Sequence, residues 1–362
     1  MSLALLEEVP TLSASAGACT GASDVAAGST PVLPGKMQFY TATTQTRILK
    51  MLRSAMGPAV TELLDDSAVT ELSANSDGHV WIDRVGHGRQ DSGERLSPSS
   101  VQRILAIVAD AKGETIGEDN PSFDAIVPGH GYRFIGTLPP LTPAPTMTIR
   151  KKPSRVITLA EYESARILSA SHRAFIESAC RERLNLIIAG GTGSGKTTLA
   201  NAVLAVMADT GHRIITIEDT PELQNSAPDQ ESLYALPGIR TMQDCLRCAL
   251  RMHPDRLIFG EVRGPEVRDM LMAWNTGHRG GLCTIHADSA PDTLARIEEM
   301  LATGVAASSL PPRAQIARAI HVIVFIETTR DRDRYPAGRF VADVVRIDGI
   351  TADNTYRMRR IP

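Results

Sequence analysis

The ten residues AGGTGSGKTT, Ala189–Thr198, constrain the chain more tightly than any other stretch. They match G-x-x-x-x-G-K-[ST], with Gly190, Gly195, Lys196 and Thr197 at the fixed positions. The apolar run NLIIAG leads into them, and KTTLANAVLAVMA, helical in period, leads out. Strand, glycine loop and helix in that order are what a phosphate cradle requires. Glycines let successive backbone N–H groups curl around an anion, and the helix N-terminus adds partial positive charge. The cradle is predicted to comprise Gly191, Thr192, Gly193, Ser194, Gly195, Lys196, Thr197 and Thr198. Lys196 supplies a cation to the β- and γ-phosphates, and the Thr197 hydroxyl is the expected magnesium ligand. The chain is therefore expected to bind ATP with magnesium.

The surroundings set the fold class. From Asn185 onward apolar runs alternate with helical ones: NLIIAG, KTTLANAVLAVMA, RIITIED, TMQDCLRCALRM, RLIFGE, PEVRDMLMAW and GLCTIH. Strands that are apolar throughout and joined by helices predict a parallel sheet covered on both faces. After Pro311 a short helix, the strand HVIVFIE and a hairpin around FVADVVRIDGI are expected. At 362 residues the chain exceeds the roughly 250–300 that one core supports, so two domains are predicted. The first reads as α+β. TRILKMLRSAMGPAVTELLDD is helical, VTELSANSDGHVWIDRVG is a strand pair turned by NSDG, and SPSSVQRILAIVADAKG is a helix capped by Ser97. FDAIVPGHGYRFIGTLPPL gives strands broken by Gly and Pro. The expected layout is a disordered leader over 1–36, an α+β domain over 37–140, a Pro-rich linker over 141–152 and the α/β domain over 153–362. Met37 is a second candidate start.

Composition removes several function classes. A net charge of -3 and 4% aromatic residues give neither the basic footprint nor the stacking platform of a nucleic-acid binder. The longest apolar run, IHVIVFI from Ile320, is strand-sized, and MSLALLEEVP lacks the basic start of a signal peptide, so a cytoplasmic location is expected. Five scattered cysteines make no disulfide framework. Cys245 and Cys248 form a CxxC within the helical DCLRCALRM, without the second pair that a four-cysteine zinc site needs.

Three further segments carry candidate chemistry. RLIFGEVRG ends an apolar strand in Glu261, read as lying beside the phosphate loop, where a carboxylate reaches the attacking water or the magnesium shell. IITIEDTPELQ ends another strand in Glu218 and Asp219. GHRGGLCTIHADS brings together His278, Cys283 and His286. Cys283 and His286 stand three apart on a strand whose side chains alternate faces, so they point oppositely and share no metal. His286 is expected at the strand's C-terminal end, as a γ-phosphate sensor that hydrogen-bonds the catalytic carboxylate or phosphate and relays phosphate loss to the helix starting near Pro291. The remaining reading is a packed turn.

Together GGTGSGKT, TIEDTPELQ, LIFGEVRG and GHRGGLCTIHADS resemble the Walker A loop, Asp box, atypical Walker B and His box of the secretion traffic ATPases. That superfamily powers type II and type IV secretion, pilus assembly and conjugation. LRCALRMHPDRLIFGEVRGPE and the terminal hairpin are most similar to its conjugal-transfer ATPases, of the type IV secretion branch, and the resemblance spans roughly residues 40 to 355. It implies a RecA-like ATPase domain behind the smaller α+β domain, in a homohexameric ring with ATP between the two tiers. Hydrolysis would rock the domains about the linker. The resemblance implies that Arg133, in GYRFIG, reaches toward the γ-phosphate, and that Arg150 and Lys151 border the nucleotide. Arg240, Arg247 and Arg251 are further candidates for phosphate or inter-subunit contacts. Glu261 is the first choice to orient or deprotonate water, and Glu218 is the second and otherwise supports the magnesium's water shell. Implied partners are inner-membrane secretion and conjugation channel proteins, with peripheral association at the membrane's cytoplasmic face. The alternatives are a pilus or type II secretion ATPase, a RecA-like nucleic-acid motor, and a nucleotide switch with little turnover.

Overall fold

A computed structural model describes residues 42–84, 88–127, 131–152, 155–236, 238–303 and 311–362. The expected leader lies outside the described residues. The first sheet is built from β1 (Val69–Ala74), β2 (His79–Arg84), β3 (Gly88–Arg95), β4 (Ser122–Val127), β5 (Tyr132–Thr137) and β6 (Thr146–Arg150), in the order β3-β2-β1-β6-β5-β4. Every pairing is antiparallel. Helices α1 (Ala42–Asp65) and α2 (Pro98–Lys112) share one core with it. Ile48, Leu52, Met56, Val60 and Leu64 recur every fourth residue along α1 and are all buried, the stripe that an amphipathic helix presents to a core. The helix is broken at Gly57 (φ 78°, ψ 168°) ahead of Pro58, and Arg53 and Asp65 pair across the break at 2.7 Å. In α2 the Ser97 side chain accepts from Ser100 N at 3.1 Å, with Pro98 in the first turn, as the cap signal predicted.

One expectation is corrected. The segment 141–152 is not a free linker, because it contains β6, which pairs with both β1 and β5 in the middle of the sheet. Its prolines signalled extended backbone, which forms, and the alternation of buried Met147 and Ile149 docks that backbone on the core. We propose that the division between the domains falls after Arg150.

The second half is an eight-stranded sheet with the RecA-like arrangement. In chain order it runs α3 (Leu159–Ser164), α4 (Ala170–Arg181), β7 (Leu186–Gly190), α5 (Lys196–Ala208), β8 (Ile214–Glu218), β9 (Gln230–Tyr234), α6 (Met242–Ala249), β10 (Arg256–Glu261), α7 (Glu266–Asn275), β11 (Leu282–His286), α8 (Ala290–Ala302), α9 (Pro312–Ala319), β12 (Val322–Thr328), β13 (Arg339–Ile350) and β14 (Tyr356–Arg360). The strand order is β14-β13-β12-β7-β11-β10-β8-β9. Strands β7 to β12 are parallel, and the β13–β14 hairpin adds an antiparallel edge. Alternation along β7 sends Ile187 and Ala189 into one core and Leu186 and Ile188 into the other, so helices cover both faces. Among the described residues no helix is long and apolar enough to cross a membrane.

Candidate nucleotide-binding site

Because β7, β8, β10 and β11 run parallel, their last residues, Gly190, Glu218, Glu261 and His286, emerge at one edge of the sheet. The phosphate loop leaves β7 at that edge, at the point where chain order reverses between β12 and β11, where open α/β sheets bind ligands. Gly193 (φ 72°) and Gly195 (φ 100°) take the left-handed turn that other residues resist, and Lys196 opens α5. Thr197 and Thr198 follow in the first helical turn, both half-buried. Lys196 is only 7% exposed. Its Nζ donates to Gly191 O at 2.8 Å and stands 3.1 Å from His286 Nδ1. Desolvation lowers its pKa, against the pull of Glu261.

The other nitrogen of His286, Nε2, lies 3.0 Å from Glu261 Oε1. Desolvation and then Lys196 lower the imidazole's pKa, which favours the neutral ring. Lysine only donates, so Nδ1 must offer its lone pair and the ring proton sits on Nε2, facing Glu261. Glu261 Oε2 accepts from Arg263 Nη2 at 2.6 Å, and Arg263 Nη1 reaches Asp219 Oδ2 at 3.4 Å. Glu261 is not on the strand next to the phosphate loop, as the sequence had suggested. The neighbours of β7 are β12 and β11, and β10 lies one strand beyond β11. Strand order follows the crossovers rather than the order along the chain, and the intervening strand is what puts His286 between Lys196 and Glu261.

Glu218 ends β8 with 1% exposure. Burial raises its pKa to about 7, although Oε1 accepts from Leu223 N at 2.8 Å and Glu222 N at 2.9 Å. Gly260 makes room for it, since a Cβ there would stand 2.9 Å from Glu218 Cγ.

The segment GHRGGLCTIHADS splits into two parts. His278 is at the far end of β11, its Nδ1 3.3 Å from Pro254 O. Gly280 N and Gly281 N both donate to Asn185 Oδ1, Arg256 Nη1 donates to Gly280 O, and a Cβ on Gly281 would collide with the Trp274 ring. This half is a packed turn. Roughly 13 Å of strand carries the chain from Leu282 to His286 at the nucleotide edge. Cys283 faces one core alongside Ile285, and His286 leaves the opposite face toward Lys196.

From the first sheet, Arg133 on β5 donates to Glu222 Oε1 at 2.8 Å. Arg150 is its direct partner across β5 and β6, and its charge is felt at Lys196. Lys151 turns away, its Nζ donating to Asp66 O at 2.6 Å. Arg240, Arg247 and Arg251 are exposed, and Arg247 stands 3.6 Å from Asp244 on its own helix. Several residues at the site were not singled out by sequence. Arg263 lay in plain view inside GEVRG. Glu222 lay inside TPELQ. Arg339, which donates to Ser194 O at 3.4 Å, and Asn201, which holds the loop after β8, carried no local signal.

Two buried polar atoms here lack a hydrogen-bond partner, Ser194 Oγ in the phosphate loop and Glu261 Oε1, whose approach to His286 is close but poorly aligned. Such atoms cost roughly 1–3 kcal/mol unless a ligand or water meets them, so the donor set fits phosphates and a water-shelled magnesium.

The family model described as "Type II/IV secretion system protein" matches residues 117–342. The chain is 38% identical over 304 residues to the probable conjugal transfer protein TrbB of Sinorhizobium fredii (strain NBRC 101917 / NGR234), covering 83% of this chain and 90% of that protein. It is 32% identical over 318 residues to the type IV secretion system protein PtlH of Bordetella pertussis (strain Tohama I / ATCC BAA-589 / NCTC 13251), covering 78% and 92%. Among solved structures, the pilus retraction motor PilT with bound ADP shares the fold, with a TM-score of 0.57 at 19% identity over 77% of this chain and 78% of that one.

Proposed function

The chain belongs to the type II/IV secretion system protein family, and on that premise we propose that it is an ATP-hydrolysing motor subunit of a type IV secretion, conjugal-transfer apparatus. The observation that carries the mechanism is the line Lys196–His286–Glu261 above the phosphate loop. Lys196 turns its ammonium to the β- and γ-phosphates. Glu261 keeps one oxygen on Arg263, which fixes its orientation, and offers the other to a water, orienting it or taking its proton. His286 hydrogen-bonds Glu261 or the γ-phosphate and registers the change of charge when phosphate leaves. Glu218 is the second candidate base and otherwise orders metal-bound water. Magnesium, held by the Thr197 hydroxyl, would neutralise charge on the phosphates when bound. Arg133 and Arg150 face the nucleotide from the first sheet. Working as a homohexamer on the cytoplasmic face of the inner membrane, the subunit would pass the resulting domain motion to membrane-bound channel proteins.

The test pairs two variants in nucleotide-binding, steady-state hydrolysis and plasmid-transfer assays. Lys196→Ala is expected to lose nucleotide binding or turnover and to abolish transfer. Glu261→Gln is expected to keep ATP binding and to lose turnover on the order of 100-fold or more, as when a positioned proton acceptor is removed. Wild-type hydrolysis by Lys196→Ala would sink the whole assignment.

A further inference from the structure

The loop after β8 makes one contact with the first sheet that the hydrolysis mechanism leaves unexplained. Arg133 Nη1 and Glu222 Oε1 meet at 2.8 Å, with both side chains partly exposed. Each partner is delivered by a fixed element. Arg133 lies on β5 between β4 and β6, opposite Ile126 and Arg150. Glu222 is pinned by its backbone, since its N donates to Glu218 Oε1 at 2.9 Å and its O accepts from Asn201 Nδ2 at 3.2 Å. Asn201 belongs to α5, the helix of the phosphate loop, is 2% exposed, and accepts from Gln224 N at 2.7 Å. The Glu222 side chain leaves this scaffold. It leaves toward cations: beyond Arg133, its charge is felt at Lys152 and at Lys196. Arg150 projects on the same face of the sheet as Arg133, because direct antiparallel partners do.

We propose that Glu222 is a positioning residue whose carboxylate competes with the triphosphate for Arg133, and so sets how tightly ATP is held. The proposal rests on the reading of Arg133 as a cation that serves the γ-phosphate. A guanidinium fork accepts carboxylate and phosphate by the same geometry, so occupying it with one excludes the other. The Glu222 carboxylate, the one paired with Arg133, stands in for phosphate charge. It holds the arginine in place when phosphate is lacking and yields it when phosphate arrives. The exchange also ties nucleotide binding to the contact between the two sheets, since gripping the γ-phosphate means releasing Glu222.

The test measures equilibrium binding of ATP and ADP with magnesium to the full chain for wild type, Glu222→Gln, Arg133→Ala and the double variant. The amide keeps the side chain's shape and leaves the backbone bonds of residue 222 in place. Removing a partly exposed ionic competitor is expected to tighten ATP about two- to fivefold. ADP should change by less than about half as much, because it lacks the phosphate that Arg133 serves. In the Arg133→Ala background the effect of Glu222→Gln should vanish. Equal tightening of ATP and ADP, or a shift that persists without Arg133, would show general charge repulsion and overturn the proposal, as would unchanged or weakened ATP binding. If Arg133→Ala alone leaves ATP binding and turnover at wild-type levels, the reading of Arg133 fails instead, and the two failures are told apart.

Discussion

Replacing Glu218 with glutamine separates what this carboxyl group costs the fold from what it does for the reaction. Its side chain is nearly inaccessible at the end of β8, and burial lifts its pKa from 4.5 to about 7. The folded chain therefore holds a proton on this residue over a range of pH in which the unfolded chain has released it. With more protons bound in the native state, stability falls as pH rises from about 4.5 to about 7 and is level above that. A shift of this size corresponds to roughly 3 kcal/mol at alkaline pH as an upper value. Glutamine carries no such cost, and its amide oxygen can still accept the two backbone N–H bonds from Glu222 and Leu223. At pH 5 the variant and wild type should differ by less than about 1 kcal/mol. At pH 8.5 the variant should be more stable by about 2–3 kcal/mol. Urea unfolding without nucleotide and with a chelator present, across that pH range, reads this directly. A stability difference that stays constant from pH 5 to 8.5 would refute the reasoning, because it would mean that Glu218 does not titrate there. The same variant assayed for hydrolysis decides the roles of the acids. A loss far larger than that of Glu261→Gln would make Glu218 the base.

His286→Ala should keep magnesium-ATP binding while turnover falls, and metal analysis of the purified wild type should find no stoichiometric zinc; one tightly held zinc per chain, lost together with activity in the variant, would overturn the sensor reading. Since desolvation and Lys196 lower the imidazole's pKa, the acid limb of the pH–rate profile that belongs to His286 should lie below the ordinary 6.5 and disappear in His286→Gln. Gly281→Ala should destabilise the fold by about 1–3 kcal/mol through its collision with Trp274, with the KM for ATP unchanged in the folded fraction; a neutral effect in thermal unfolding would mean that the turn can yield.

Local chemistry was the legible part of this chain. The phosphate loop is ten contiguous residues whose glycines and lysine each have a separate physical reason, and the buried strands declare themselves by apolar runs. Edge strands do not. GRQDSGER (β3) and QESLY (β9) are polar because one side of each has no neighbour to bury against, so nothing in their composition marks a strand. β6 was hidden for another reason. Proline reports extended backbone and is silent on whether that backbone finds a partner, and the alternation in TMTIR was the available clue. The break at Gly57–Pro58 was written in the sequence, but the helical period on either side masked it. The partner of Arg133 was not legible, because Glu222 reaches it only after strand order and loop paths are set.

The proposed relay from His286 has a route that the structure narrows. The backbone of His286 pairs with Gly190, the last residue before the phosphate loop, and β11 is bonded on its other side to β10. The opposite end of β11 is fixed by Asn185, Arg256 and Trp274 around Gly280 and Gly281. A strand held at both ends and on both sides cannot slide to report the loss of a phosphate. The motion must begin with the His286 side chain, the one exposed residue of β11, and pass into Ala287 and Asp288. Ser289 then caps α8 by accepting from Asp292 N at 3.1 Å, so two residues separate the imidazole from a helix terminus. A short connection between a ladder and a capped helix has few conformations to choose from. On the proposed relay, a change of imidazole partner would shift where α8 begins, and the packing of α8 against α7, α9, β12 and β13 would carry that shift beyond the nucleotide edge.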